Sequence, residues 1–330
     1  MLNLETNYMG LTLKNPIIAG SSGLTDSIDS LISLEKAGVA AVVLKSIFEE
    51  EIVVEMEANL KKMASAQFLY PESLDYYEDK EEENICLNYL DLIREAKSKI
   101  SIPVIASINC VTADYWTYFP KQAELAGADA IELNIFILPS DFNRNRESTE
   151  KVYFDIIDKV HSQVNIPVSI KLSYYFSDLA QMLLKFAQTP ISGMVLFNKF
   201  YQPDFDIDKF EVTSGKILSS PDDFHIPLRW ISIISGRVKC SLAASTGVYN
   251  GESAIKQILA GANAVQITST IYQNGLDYVQ QILEDIQSWM KNKGFENIEE
   301  FRGKMSQLAS NNPASYDRIQ FMRYFRSYKK

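Results

Sequence analysis

Apolar residues along this chain gather into eight short runs that end on small or polar residues, and the runs alternate between two spellings. One spelling is led by proline: NPIIAGSS (15–22), IPVIASIN (102–109), IPVSIKLS (166–173) and, lacking its proline, CSLAASTG (240–247). The other follows a glycine or a small residue: GVAAVVLKS (38–46), GADAIELN (127–134), ISGMVLFN (191–198) and GANAVQITS (261–269). Continuous apolar runs of this length read as strands buried on both faces, as in a parallel sheet. Segments with helical spacing lie between them, such as DSIDSLISLEKA (26–37), with Asp26 or Ser27 as its cap and Gly38 as its stop. Helix, glycine and strand follow without a gap again at Ala126-Gly127 and Ala260-Gly261, the short join that βαβ units require. Eight such units predict an α/β protein, a (β/α)8 TIM barrel, with its chemistry at the C-terminal ends of the strands.

The remaining segments fit around that barrel. Residues 4–14 alternate about Gly10 and predict an N-terminal hairpin closing the barrel floor. Insertions are expected after strands two and six, at about 49–100 and 199–239. The first holds helix-like EEEIVVEMEANLKKM, then aromatic and acidic FLYPESLDYYEDKEEEN, then helix-like CLNYLDLIREAKSKI. In the second, FEVTSGKIL predicts a small hairpin around Ser214-Gly215. Residues 273–292 read as the last barrel helix, and GFENIEEFRGKM as a further short helix in a tail over 293–330. Residues 1–330 therefore read as one barrel domain.

Composition narrows the function classes. Hydrophobic residues make up 46% of the 330, enough for a large core. A net charge of −10 argues against a nucleic-acid surface. The basic aromatic tail RIQFMRYFRSYKK is accordingly expected to pack on the protein itself or on a neighbouring subunit. Cys86, Cys110 and Cys240 form no CxxC, which fits a reducing cytosol, so a cytoplasmic location is expected. The N-terminus lacks the basic and apolar regions of a signal peptide. No apolar run reaches the roughly 18 residues of a membrane span. With only His161 and His225 present, a histidine metal site or a Ser-His-Asp triad is not expected.

The strand ends carry the candidate chemistry: Ser21 and Ser22, Lys45, Asn109, Asn134, Lys171, Asn198, Thr246 with Gly247, and Thr268 with Ser269. Loops after strands seven and eight commonly bind phosphate in this fold. The N–H groups of Gly247, Thr268 and Ser269 and the hydroxyls of Thr246, Thr268 and Ser269 suit a phosphate, although the same residues also serve as ordinary helix caps. Lys45 and Lys171 each end an apolar strand, and a buried ammonium needs an anion or strong acceptor. Such a lysine can form a Schiff base, act as a base or hold an anionic cofactor, and a carboxylate such as Glu132 would satisfy it structurally. The amides of Asn109, Asn134 and Asn198 suit the edge of a flat heterocycle. Phosphate, lysines and amides together point to flavin mononucleotide (FMN).

The motifs KNPIIAGSSG, LKS after strand two, AIELN, IPVSIKLSYYF and STG…QITS resemble class 1 dihydroorotate dehydrogenase across almost the whole chain. The barrel of dihydropyrimidine dehydrogenase is similar, as is a group of homologues matched here by IFEE (47–50) and LFNKFYQPD (196–204). The resemblance implies a homodimeric FMN barrel that takes hydride from a dihydropyrimidine, as in dihydroorotate oxidation to orotate in pyrimidine biosynthesis. It also implies that Ala19, Gly20 and Ser21 line the flavin with Lys45 nearby, and that Asn134 and Lys171 contact it. Asn198 would be shared with substrate, and Gly247, Thr268 and Ser269 would hold the phosphate. Where that class places a cysteine base, this chain has Ile137, and the usual substrate loop after strand two is replaced around residues 66–84. The strand-seven glycine pair is reduced to Thr246-Gly247. Cys110 and Ser140 are the candidate replacement bases, with Tyr174, Tyr201 and Asp204 behind them. Two other functions compete: a Schiff-base lyase or aldolase on a phosphorylated substrate, using Lys171 or Lys45, and a flavin-binding homologue with another substrate or no dehydrogenase activity.

Overall fold

A computed structural model describes residues 2–51, 85–110, 118–200 and 202–316. In chain order the strands are β1 (Thr6–Tyr8), β2 (Leu11–Leu13), β3 (Ile17–Ala19), β4 (Ala41–Val43), β5 (Ile47–Phe48), β6 (Val104–Cys110) and β7 (Ala130–Ile135). They continue with β8 (Val168–Leu172), β9 (Gly193–Leu196), β10 (Pro203–Asp206), β11 (Glu211–Ser214), β12 (Ser241–Ser245) and β13 (Ala264–Ile267). The helices are α1 (Ile28–Ala37), α2 (Ile85–Lys99), α3 (Phe119–Ala126), α4 (Arg146–His161), α5 (Leu179–Phe186), α6 (His225–Ile234), α7 (Gly251–Ala260), α8 (Ser269–Asn274) and α9 (Tyr278–Lys293). Strands β3, β4, β6, β7, β8, β9, β12 and β13 pair in parallel in that cyclic order, and β13 returns to β3. This is the closed (β/α)8 barrel that the alternating runs predict.

Strand alternation divides the core into two shells. Ile17, Val42, Ala106, Leu133, Ile170, Leu196, Ala244 and Val265 face outward to the helices. Ile18, Val43, Ile105, Ala130, Val195, Ala243 and Ala264 face inward. Each large side chain removed from water contributes about 1.5–3 kcal/mol, so the shell between strands and helices dominates the stability. The floor is plugged by the β1–β2 hairpin, as expected. Its turn takes positive φ at Met9 and Gly10, 55° and 83°, which drives Tyr8 and Met9 into the barrel. A side chain at Gly193 would begin 2.9 Å from Met9 Cγ, so the plug requires glycine there.

Several boundaries differ from the expectations. The hairpin after β9 turns at 207–210, not at Ser214-Gly215, because Asp206 Oδ1 accepts from the backbone of Asp208 and Lys209, both at 3.0 Å. Helix α1 keeps its expected bounds, with Ser27 as N-cap and Gly38 as C-cap, although the Ser27 hydroxyl bonds Ser30 Oγ rather than a backbone N–H. The last helical stretch is split by Gly275, at φ 82°, into α8 and α9. GFENIEEFRGKM forms only a 3-10 turn at Ile298–Glu300, because Asn297 accepts from Glu300 N and Gly303 follows at φ 72°. Most of the first insertion and the basic tail beyond Tyr316 lie outside the described residues. No described helix is long and apolar enough to cross a membrane.

Candidate active site at the barrel mouth

Register places three predicted residues on one level. Asn109 pairs with Asn134 across β6 and β7, and Asn134 pairs with Lys171 across β7 and β8. Asn198, two residues past β9, donates its amide to Asn134 Oδ1 at 2.8 Å. Four of the expected residues therefore share one rim.

Inside the barrel, the inward positions of β7 and β13 bring a carboxylate and an amide to the rim ammonium on β8. Lys171 Nζ donates to Gln266 Oε1 at 2.9 Å and stands 3.4 Å from Glu132 Oε1. Gln266 Nε2 donates to Glu132 Oε2 at 2.5 Å. All three side chains are buried. The carboxylate considered for Lys171 is thus present, and an unforeseen glutamine joins it. Alternation from Ala264 through Gln266 to Thr268 could have marked Gln266 as inward. Below them the Tyr8 hydroxyl is fully buried, and burial with the Glu132 charge holds it well above the ordinary phenol range.

Lys45 departs from expectation. Its side chain is 58% exposed and its ammonium lies 3.7 Å from Asp26, so no buried charge demands a ligand there. The reason is that β4 ends at Val43, two residues before Lys45. Ser21 instead joins a hydroxyl chain: its Oγ accepts from Ser46 N at 2.9 Å, and Ser46 Oγ lies 2.7 Å from Ser107 Oγ. Half-buried Tyr89 accepts from Ser107 N at 2.8 Å and donates to Ser107 O at 3.1 Å. Ala19 faces the outer shell, so only its backbone is available to the mouth. Gly20 stands beside Thr268, whose Oγ1 would lie 2.7 Å from a Cβ at position 20.

The expected phosphate loops converge on one oxygen. Ser219 Oγ accepts from Gly247 N at 3.3 Å and lies 3.0 Å from Ser269 Oγ, which in turn accepts from Ser219 N at 3.0 Å. Gly247 is buried at φ 77°, and a Cβ there would lie 2.2 Å from Phe224 N. Thr246 Oγ1 is committed to Phe197 O at 2.9 Å. The segment carrying Ser219 is held by a capping box between Ser220 and Asp223. Burial raises the Asp223 carboxyl, but hydrogen bonds from Ser220 and the Lys199 ammonium at 3.2 Å hold it below the ordinary range. Ser219, Lys199 and Asp223 carried no strand-end signal in the sequence.

The altered loop after β7 presents no base at position 137. Ile137 is buried in the outer shell, and its N–H is 3.4 Å from Tyr153 Oη. Burial pushes the Tyr153 phenol up to about 12. Phe136 points the other way and stacks on Phe200, with centroids 4.6 Å apart. Tyr174 and Tyr175 complete this aromatic group. Two clefts meet at the tyrosines: one of about 490 Å³ toward Asp141 and Arg144, and a narrow one toward Asn198, Asp223 and Thr246. Ser140 is exposed beyond the loop, and Asp204 is exposed on β10. Cys110 ends β6 opposite Ile135; its side chain and Tyr201 lie outside the described residues.

A parallel barrel with a lysine, amides and an oxygen-binding loop at its C-terminal mouth defines a class of small-molecule site, and comparison with known proteins narrows it. The family model described as "Dihydroorotate dehydrogenase" matches residues 74–290. The chain is 26% identical over 314 residues to the protein of Thermoplasma acidophilum named "Dihydroorotate dehydrogenase B (NAD(+)), catalytic subunit", covering 92% of this chain and 99% of that one. The similarly named proteins of Methanocaldococcus jannaschii and Pyrococcus abyssi are 25% and 27% identical. They cover 91% of this chain each, and 97% and 98% of their own lengths. The chain belongs to the dihydroorotate dehydrogenase family, whose members are flavin-dependent oxidoreductases.

Proposed function

We propose that this chain is an FMN-dependent oxidoreductase that removes hydride from a dihydropyrimidine-like substrate at the barrel mouth. The observation that carries this reading is the shared rim of Asn134, Lys171 and Asn198. Neutral amides beside a single buried cation suit a heterocycle whose edge both donates and accepts and gains negative charge on reduction. The other end of the site also fits FMN. Gly247 N–H and Ser269 Oγ already meet an oxygen atom, that of Ser219, where a phosphate oxygen would need the same partners.

In this reading Lys171 supplies positive charge and Asn134 and Asn198 orient the ring. Gly20 keeps the strand end slim beside Thr268, and Gly247, Thr268 and Ser269 hold the phosphate with Ser219. Ser21, Asn109, Thr246 and the backbone of Ala19 complete the surround, while Lys45 stays paired to Asp26 at its edge. The chemistry that FMN supplies is acceptance of a hydride from a substrate C–H. Dihydroorotate is the reference substrate, as the names of the relatives suggest. The substrate proton leaves through Cys110, Ser140 or solvent, because Ile137 cannot take it.

A second reading has its own support: a flavin-binding homologue with a different substrate. The Phe136–Phe200 stack, with Tyr174 and Tyr175 against it, favours an aromatic ligand over the carboxylate of dihydroorotate. We place the protein in the cytoplasm, on its scattered cysteines, and as a homodimer. The dimer is supported by the β10–β11 hairpin, where Phe205 and Val212 pair on one exposed face beside fully solvated Phe210. Anaerobic mixing of the flavin-loaded protein with dihydroorotate, dihydrouracil and NADH tests the function. Bleaching by dihydroorotate or dihydrouracil supports the first reading; bleaching by NADH alone supports the second.

A further inference from the structure

We propose that Gln266 is a positioning residue whose amide, anchored by Glu132, aims the Lys171 ammonium and sets how much of its charge reaches a ligand at the mouth. The inference rests on the FMN reading and goes beneath it, to residues that the rim does not include.

The geometry makes the amide an intermediary. A charge-assisted hydrogen bond between ammonium and carboxylate is about 2.7–2.9 Å long. Lys171 Nζ stands 3.4 Å from Glu132 Oε1, outside that range, and makes its short bond to Gln266 Oε1 at 2.9 Å. The other Glu132 oxygen takes the Gln266 Nε2 at 2.5 Å. Among the described residues Glu132 Oε1 accepts no hydrogen bond. The amide orientation is forced, since a flipped Gln266 would oppose NH2 to the ammonium and oxygen to the carboxylate.

An ammonium has three donors, and Gln266 takes one. With the amide gone, the nearest acceptor for Lys171 is the free oxygen of Glu132. The two charges would then close on each other and neutralise locally. The amide thus keeps the cation drawn toward β13 and short of a full ion pair. Glu132 in turn tempers that cation, so its removal should leave Lys171 more positive toward a ligand.

The test uses the full chain loaded with FMN and measures the relative affinity for reduced over oxidised flavin by spectroelectrochemical titration, a quantity that a merely structural role would not move in opposite directions. Glu132→Gln should raise that ratio and Gln266→Met should lower it, each by about tenfold, the scale on which a neighbouring charge shifts an ionisation. Lys171→Met should lower it as well. If Lys171→Met lowers the ratio while Glu132→Gln leaves it within about twofold, far short of the tenfold scale, the inference is overturned and the FMN reading stands. If the unmodified chain binds no FMN, the reading falls and takes the inference with it. Glu132→Gln is nearly isosteric and decides the matter even if Gln266→Met fails to fold.

Discussion

The Asn198 amide donates to Asn134 Oδ1 at 2.8 Å, joining the ends of two strands that are not neighbours. Strand β8, carrying Lys171, runs between them. The bond spans the lysine and fixes both amides at the rim. Asn198→Ala should cost about 1 kcal/mol of stability, the net worth of one such hydrogen bond. Its effect on FMN should be larger, because it frees Asn134 as well as removing a contact. Urea denaturation of the flavin-free chain and FMN titration, compared in one variant, check the difference.

Lys171 sits over a carboxylate that has little else to balance its charge. Lys171→Met should therefore destabilise by about 3–5 kcal/mol, the cost of leaving a buried charge uncompensated. Adding Glu132→Gln should recover much of that loss. A double-mutant cycle in urea measures the coupling, and additive losses would mean that the two side chains do not compensate each other.

Gly247→Ala tests the loop that meets Ser219. The residue has φ 77° and a Cβ would collide with Phe224 N. Strain and overpacking together should cost about 2–3 kcal/mol. The melting temperature should fall, and FMN affinity should fall further than in a destabilised control variant remote from the mouth.

Asp223 gives the site an acid limit. Its carboxyl is depressed in the folded protein against an ordinary value of about 3.9. Its contribution is therefore present above that ordinary value and is lost as pH falls through the folded one. Asp223→Asn should lower stability at neutral pH and flatten the decline below about pH 4. Stability measured from pH 3 to pH 7 in both proteins checks the slope.

Ile137→Cys should not install a catalytic base. The side chain faces the helices, and its neighbour Phe136 faces the mouth. The variant should lose about 1–2 kcal/mol from the core and gain no dihydroorotate oxidation. A rise in anaerobic bleaching by dihydroorotate would mean that the loop is turned the other way.

Sequence periodicity read the barrel well, because strands buried on both faces have few other ways to be spelled. It also placed Asn109, Asn134 and Lys171 on one level, since parallel register aligns equivalent strand ends. What it missed depends on distance along the chain. Ser219 reaches the Gly247 loop from an insertion whose path no periodicity encodes. Gln266 lies inside the run GANAVQITS, yet its partner Glu132 is 134 residues away. Lys45 is exposed because β4 ends two residues before it, which alternation alone does not mark. The hairpin turn was misplaced because an Asp206 side chain, rather than a Ser-Gly pair, closes it.

The central claim is that the polar mouth is an FMN site, and the absorbance spectrum of the purified chain tests it most directly. The account predicts a yellow protein that releases equimolar FMN on heating, with Lys171→Met and Asn134→Ala holding it more weakly. A colourless protein that also fails to bind added FMN would contradict it.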